Sequence, residues 1–411
     1  MTMARIKLST YLFLSLSLFC LNAFSNDSKA EEKKPQKSHH KEVMNRALDS
    51  FVRFLPFLSS EASYSSDANT KKIKQELESL ERVFTDARKE TLLQQDLFAT
   101  TNIVILDNLK LAKDSLNYSN RNFSYLRMKE TINLCFHCHA QLPSEFTSSF
   151  SNGFNNLSRK KFSSDFDYAQ YLFLVRNFEA AKTNYFSVID NVSKVLAQAP
   201  KRNVKISIHD QQQLEESLRQ VLVIYTKIQR DIKGAISFFS KMSVTGFPTY
   251  LKQQIAHWTL GLKEWEAKNE ELSELKNNKE MTKFVNSTLA PILSKTKDGA
   301  VRTIDLLVGT GLLSNYIFVN STDPDRALAL YYLGLSENVL SSTSFYSLAE
   351  SYFRDCVIRY PQHEIAKKCY DEYESNIIFG FTGSSGVRIP ADVQKDLDNL
   401  KKLLNDGNKK K

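Results

Sequence analysis

The residues of this chain with the most distinctive chemistry are Cys135-Phe136-His137-Cys138-His139, in a protein with only five cysteines. Two cysteines three positions apart share one face of a helix. Two thiols at this spacing can add across the two vinyl groups of a haem, and the histidine that follows the second can ligate its iron. Other chemistries fit less well. A thioredoxin-like redox pair requires a βαβ setting, whereas the flanking sequence is helical. A structural zinc site needs a fourth ligand and usually a second pair, and no second C-x-x-C is present. A chance disulfide would leave His139 unexplained. One covalent haem c is therefore expected.

Four amphipathic segments must position the motif. Met44, Leu48, Phe51, Leu55 and Leu58 recur at helical spacing, as do Ile73, Leu77, Leu80, Phe84 and Ala87. Ile105, Leu109, Ala112 and Leu116 form a third stripe, and Tyr125, Met128, Ile132, Cys135 and His139 a fourth. Such spacings give each helix one apolar face; Pro56 is a kink point in the first. The connections (59–70, a break near Lys89, and 117–122) are short and polar, which makes successive helices antiparallel neighbours. The spacing thus predicts an up-down-up-down bundle over 39–143, closed by Pro143. The haem is expected against its interior, at the C-terminal end of the fourth helix.

A C-x-x-C-H at the end of the last of four helices resembles the cytochrome c-prime type of bundle, over His39 to Pro143. The resemblance implies that Cys135 and Cys138 carry the thioethers and that His139 is the proximal ligand. In an antiparallel bundle the start of the first helix lies beside the end of the fourth. Met44 stands at that level, either as sixth ligand or as a core methionine, and His40, one turn earlier, is a second candidate. His39 and His137 are read as solvent-facing. A vacant sixth position, which the resemblance allows, would admit a small gas; methionine ligation would favour a raised potential and electron transfer.

The N-terminus reads as a signal peptide over 1–25: Arg5 and Lys7, an apolar run from Leu8 to Leu21, then Ala23-Phe24-Ser25. A lipoprotein reading would use Cys20, but bulky Phe19 precedes it. The run is short for an uncleaved span. Residues 26–38 are polar and Lys/Glu-rich, a flexible linker. No other long apolar run exists, so the mature chain is expected in the periplasm without a transmembrane segment. Export agrees with the motif, since c-type haem resembles a cofactor attached outside the bacterial cytoplasm. The formal net charge is +9, and removing Arg5 and Lys7 leaves +7. The basic residues are interspersed with acids and form no stripe with aromatics, which argues against a nucleic-acid partner. They leave room for a face that docks an acidic redox partner.

Residues 144–164 read as a linker and 165–379 as helical hairpins. Ala349, Phe353, Cys356 and Pro361 fall at the relative spacings of the tetratricopeptide pattern, with Leu333-Gly334 upstream. Ala181 and Tyr185 repeat the Ala-to-aromatic step after Tyr168-Ala169 and Leu172, and Ala235 and Phe239 repeat it again. The intervals are irregular, so the array resembles degenerate tetratricopeptide repeats. Such stacks bury a face no single hairpin could cover and usually present a groove to a protein; the other role is plain structural extension. Cys356 and Cys369 flank Pro361 across a helix-turn-helix and are candidates for a disulfide. Gly380 to Gly386 lacks the Lys-Ser/Thr of a phosphate loop and reads as a turn. A capping helix with Val393, Leu397, Leu400 and Leu404 and a polar tail from Asn405 complete 380–411. His209, His257 and His363 have no partners at ligand spacing.

The expected fold class is all-α: a four-helix haem bundle, then a helical-hairpin array. The expected function is a periplasmic monohaem c-type cytochrome for electron transfer, whose repeats dock a redox or scaffold protein. A haem-based gas or redox sensor and an assembly scaffold with structural haem are the alternatives. No carboxylate pair, nucleophile–base set or second metal site points to an enzyme.

Overall fold

The computed structural model describes residues 39–58, 61–89, 98–117, 120–141, 157–202, 207–267, 274–295, 302–320, 323–341, 348–384 and 386–408. The expected signal peptide and the linker 26–38 lie outside the described residues, as does Pro143. The three- and four-residue spacings of apolar side chains fold as helices throughout, and no described helix is long and apolar enough to cross a membrane.

The first group comprises α1 (His39–Leu58), a short α2 (Glu61–Tyr64), α3 (Asp67–Ala87), α4 (Phe98–Asn117) and α5 (Arg121–Gln141). Neighbours in sequence are neighbours in space: α1 packs on α3, α3 on α4 and α4 on α5. Helix α2 falls in a connection that composition reads as loop. Its Tyr64 is fully buried, and the hydroxyl meets Ser124 Oγ at 2.7 Å, so this one turn ties the α1–α3 corner to the start of α5. Burial pushes the Tyr64 phenol up to about 12.

The second group begins with α6 (Asp165–Leu174) and α7 (Phe178–Arg202), then α8 (Ile208–Val223), which runs into a π-turn (Ile224–Ile228), and α9 (Ile232–Lys241). Helices α10 (Thr249–Ala267), α11 (Asn278–Phe284), α12 (Ala290–Lys295), α13 (Thr303–Val319), α14 (Arg326–Ser341), α15 (Ala349–Arg359) and α16 (Ala366–Gly380) follow. The Gly380–Gly386 stretch forms a small antiparallel hairpin, β1 (Thr382–Gly383) with β2 (Gly386–Val387), in which Gly386 takes φ +99°. Helix α17 (Ala391–Asn408) buries Leu397, Leu400 and Leu404. It continues three residues past Asn405, where the sequence suggests a tail.

Two corners of the second group share one geometry. Arg176 and Arg230 adopt left-handed backbone, with φ 59° and 56°. Each is followed by a residue, Asn177 or Asp231, whose side-chain oxygen accepts from the first turn of the next helix. The Ala-to-aromatic steps after these corners are buried: Ala181 with Tyr185, and Ala235 with Phe239. Ala349 and Phe353 are buried likewise, and a Cβ on Gly334 would lie 2.3 Å from the Phe353 ring. Helices α14 and α15 therefore approach as closely as they do only because residue 334 has no side chain. Cys356 and Cys369 are joined in a disulfide that links α15 to α16, with Cα atoms 6.3 Å apart.

Packing runs on from the first group into the second. The expected linker is described only from Leu157, and there it is structured: Phe162 is buried on Tyr171, ring centroids 5.0 Å apart. Phe136 of α5 meets Phe173 of α6 edge-on at 5.2 Å. Helix α5 also touches the π-turn and α13.

Replacing Gly334 by Ala should destabilise the protein. The gain in helix propensity, about 1 kcal/mol, is smaller than the about 1–3 kcal/mol cost of overpacking against a buried ring. A lowered urea midpoint, largely restored in the double variant with Phe353→Leu, is the expected result.

Candidate haem cavity

The motif occupies the last turns of α5, and its three reactive side chains open into one cavity of about 760 Å³, a volume that includes its mouth. Cys135, Cys138 and His139 form one wall. Phe84 and Ala87 of α3, with Ile105 of α4, contribute apolar surface from other sides. Helix α1 forms the wall made by Met44, Ala47, Leu48 and Phe51. The lining is predominantly apolar, as that of small-molecule and cofactor sites is.

Met44, the first candidate sixth ligand, is half-buried and lines this cavity together with His139. His40 lies in the first turn of α1, but its side chain lies outside the described residues, as do those of His39 and His137. The remaining histidines stand elsewhere. His363 Nε2 is 3.2 Å from Asp325 Oδ1 and its Nδ1 accepts from the Ile365 amide; His209 pairs with Gln213; His257 is exposed.

The imidazole of His139 is held by the corner between α6 and α7. Its Nδ1 lies 2.5 Å from the carbonyl oxygen of Leu174. A carbonyl only accepts, so the proton sits on Nδ1 and the lone pair of Nε2 is left for another partner. Histidines that bind metals are fixed in this way, through the ring nitrogen that does not bind. The same corner satisfies the helix end: Arg176 Nη1 donates to the His139 carbonyl at 2.5 Å, capping one of the orphan carbonyls of α5. Burial, reinforced by the Arg176 charge, pushes the His139 imidazolium down to about 4, so the ring is neutral at physiological pH. Arg176 is 1% exposed, lies over the Phe178 ring at 5.3 Å, and is itself lowered to about 10 by burial.

The cysteines are chemically distinctive too. They are not bonded to each other. Burial raises both thiols far above their usual range, Cys138 to about 12 despite the Arg176 charge nearby. Catalytic redox pairs depend on a depressed, accessible thiolate, which this environment opposes. Among the described residues no cluster of three or more His, Cys, Asp or Glu side chains could hold a metal ion. Two thiols and a neutral imidazole therefore face an apolar cavity, and this set suits a ligand that bonds covalently to sulfur and brings its own metal. The wall also contains an orphan. Asn102 is 7% exposed and donates to the Phe84 carbonyl, yet its Oδ1 has no donor.

Leu174, Arg176 and Asn102 carry no motif. Leu174 acts through its backbone, and neither spacing nor periodicity marks Arg176; the one signal that could have found it is the Arg-Asn step before Phe178. Comparison with family models, with curated proteins and with solved structures finds no match to this chain. The functional reading thus rests on the cavity itself.

Arg176→Gly and Arg176→Ala both remove the guanidinium, but only glycine takes φ 59° without strain. The alanine variant should be the less stable of the two by about 1 kcal/mol, read as the difference in urea midpoints. Equal stability, or the reverse order, would contradict a left-handed corner.

Proposed function

We propose that this protein is a monohaem c-type cytochrome of the periplasm, in which α1, α3, α4 and α5 form a bundle of the cytochrome c-prime type. Its haem would be bound through Cys135 and Cys138 and ligated by His139. The observation that carries this reading is the convergence of both sulfurs and a neutral, Nδ1-protonated imidazole on one apolar cavity. The disulfide between Cys356 and Cys369 supports export to an oxidising compartment.

When bound, haem supplies a reversible one-electron couple. The chain's own residues do the rest. The Leu174 carbonyl orients the imidazole and keeps Nε2 deprotonated. Phe51, Phe84 and Ile105 line the site with apolar surface, so few polar groups would have to reorient when an electron arrives or leaves. Arg176 places a buried positive charge behind the ligand, and such a charge stabilises the electron-rich reduced state. The helical pairs from α6 onward resemble tetratricopeptide repeats, and we assign them the docking of a redox or scaffold protein.

A sensor is the second reading, favoured by one observation. The imidazole's hydrogen-bond partner, Leu174, belongs to the hairpin array and not to the helix that bears the motif. A change in iron ligation would pull on that array. The sixth position decides between the two.

Haem should stay with the polypeptide through acid–acetone extraction, because thioethers survive it. Colour leaving with the solvent, or covalent haem retained by the Cys135→Ala/Cys138→Ala double variant, would overturn the proposal. Met44→Ala separates the two modes. If the Met44 sulfur ligates iron, the wild-type ferrous haem is six-coordinate and low-spin, and the variant becomes high-spin, binds CO faster and has a lower potential. A wild-type spectrum already high-spin, and unchanged by Met44→Ala and by His40→Ala, favours the sensor.

A further inference from the structure

A second cavity lies one to two turns upstream of the motif along α5, enclosed by α5, the end of α1, the start of α6 and the start of α8. Its volume is about 1270 Å³ counted with its mouth. Unlike the candidate haem cavity it is rich in polar side chains, and one of them holds a buried oxygen without a partner. Asp167 is 4% exposed, and its Oδ2 is buried without a donor. Gln170, one turn later on α6, is 7% exposed, and Asn133 on the facing α5 is 6% exposed. Neither side-chain amide makes a hydrogen bond among the described residues. Lys129, one turn before Asn133 and half-buried, has no hydrogen-bond acceptor among the described residues either.

Unsatisfied buried polar atoms cost about 1–3 kcal/mol each, and native proteins carry few of them. Among these four groups the Oδ2 of Asp167 is such an atom, while Lys129, Asn133 and Gln170 reach solvent in the same space and make no side-chain hydrogen bond among the described residues, so one guest would complete them together. Helix capping accounts for only part of Asp167. It stands three residues after the N-cap Ser164, which takes up one carboxylate oxygen and leaves Oδ2 to the cavity.

The charges say what the guest carries. Lys129 and Asp167, opposite in sign, form no ion pair within 4.0 Å among the described residues; Glu216 and then Asp167 act on Lys129, and His209 and then Lys129 act on Asp167, through their fields alone. The other charged groups of the wall include Glu216 and Arg219, which are already paired at 2.8 Å. A simple anion would satisfy Lys129 but would meet Asp167, Glu130, Glu215 and Glu216. A simple cation would satisfy Asp167 and be repelled by Lys129. A neutral polyol would leave both charges uncompensated. A molecule with adjacent carboxylate and ammonium groups answers both, and the amides of Asn133 and Gln170 can bridge its remaining donors and acceptors. Leu55, Leu58, Tyr125 and Phe166 give the same cavity an apolar end for a side chain.

We propose that this crevice is a binding site for a free α-amino acid with an apolar side chain, its carboxylate on Lys129 and its ammonium on Asp167. Burial is consistent with this, since it holds the Lys129 ammonium below its usual range and the Asp167 carboxyl above its own. Each group thus gains when a ligand of opposite charge arrives. The site stands independently of the haem reading, although it would clasp the helix that carries the haem motif to α6 and α8.

Calorimetric titration and thermal shift on the full chain, as purified, test this with L-leucine and L-phenylalanine. The controls are 4-methylpentanoate and 3-methylbutylamine, which lack leucine's ammonium or its carboxylate, together with glucose and inorganic phosphate. The expected result is one saturable site for at least one amino acid, with each single-charge analogue weaker by on the order of tenfold or more. Asp167→Asn and Lys129→Met should each weaken the amino acid by a similar factor. The proposal fails if neither amino acid binds, if an analogue binds as tightly as its amino acid, or if glucose or phosphate binds instead. It also fails if the two variants, with unchanged circular dichroism, bind as the wild type does. The analogue comparison uses wild-type protein and so does not depend on the variants folding.

Discussion

The structure turns on one hydrogen bond, between the Nδ1–H of His139 and the carbonyl oxygen of Leu174. It selects the tautomer and hence the nitrogen available to a metal. It also requires that the end of α5 and the α6–α7 corner stay in register, although they are 35 residues apart in sequence. Two further contacts hold that register: Arg176 on the His139 carbonyl, and the edge-on pair of Phe136 and Phe173. A left-handed, non-glycine residue costs about 1–2 kcal/mol. At Arg176 it turns a guanidinium back toward the motif, which a straight continuation of α6 would not do. Strain of this kind persists where the surroundings over-determine it, and here they consist of the candidate cofactor site.

This arrangement explains why the helices after the motif are more than an appendage. Proteins that present reactive groups must hold them by a supporting layer, and ligand histidines are oriented by that layer. Here the supporting atoms come from the α6–α7 corner, so motion of α6 relative to α5 is felt at the imidazole. The polar crevice sits between the same helices, with Lys129 and Asn133 on α5 facing Asp167 and Gln170 on α6. The two cavities therefore share α5, with α1 and α6 contributing to each.

Much of this was legible in the sequence, for definite reasons. Heptad-like spacing located α1, α3 and α4, since each buries a single stripe; Ile73, Leu77, Leu80, Phe84 and Ala87 are all inside. Met44 was placed toward the motif from antiparallel topology alone, and it lines the same cavity. The Cys356–Cys369 bond followed from two cysteines flanking a helical turn. Helix α5 is different. Ser124, Thr131, Asn133, Leu134 and Phe136 are buried along with its expected stripe, because α4 covers one side and α6, the π-turn and α13 contribute on others. Periodicity finds one buried face and cannot report a helix covered on several sides, as α5 is apart from Asn122, Leu126 and Glu130. Nor could spacing reveal Leu174, whose contribution is a backbone carbonyl, or the contact of Arg176 with a residue far upstream. The resemblance of the helical pairs to tetratricopeptide repeats rests on local steps such as Ala181 to Tyr185, which report how two helices pack and not how the pairs assemble.

The imidazole itself offers the most direct test. Long-range ¹⁵N–¹H correlation spectra of the haem-free chain with labelled histidine report which ring nitrogen carries the proton. The account predicts that His139 is the Nδ1–H tautomer and remains neutral as the pH is lowered through 6 and 5, titrating only near 4. A predominant Nε2–H tautomer, or a titration near the ordinary value of about 6.5, would contradict it.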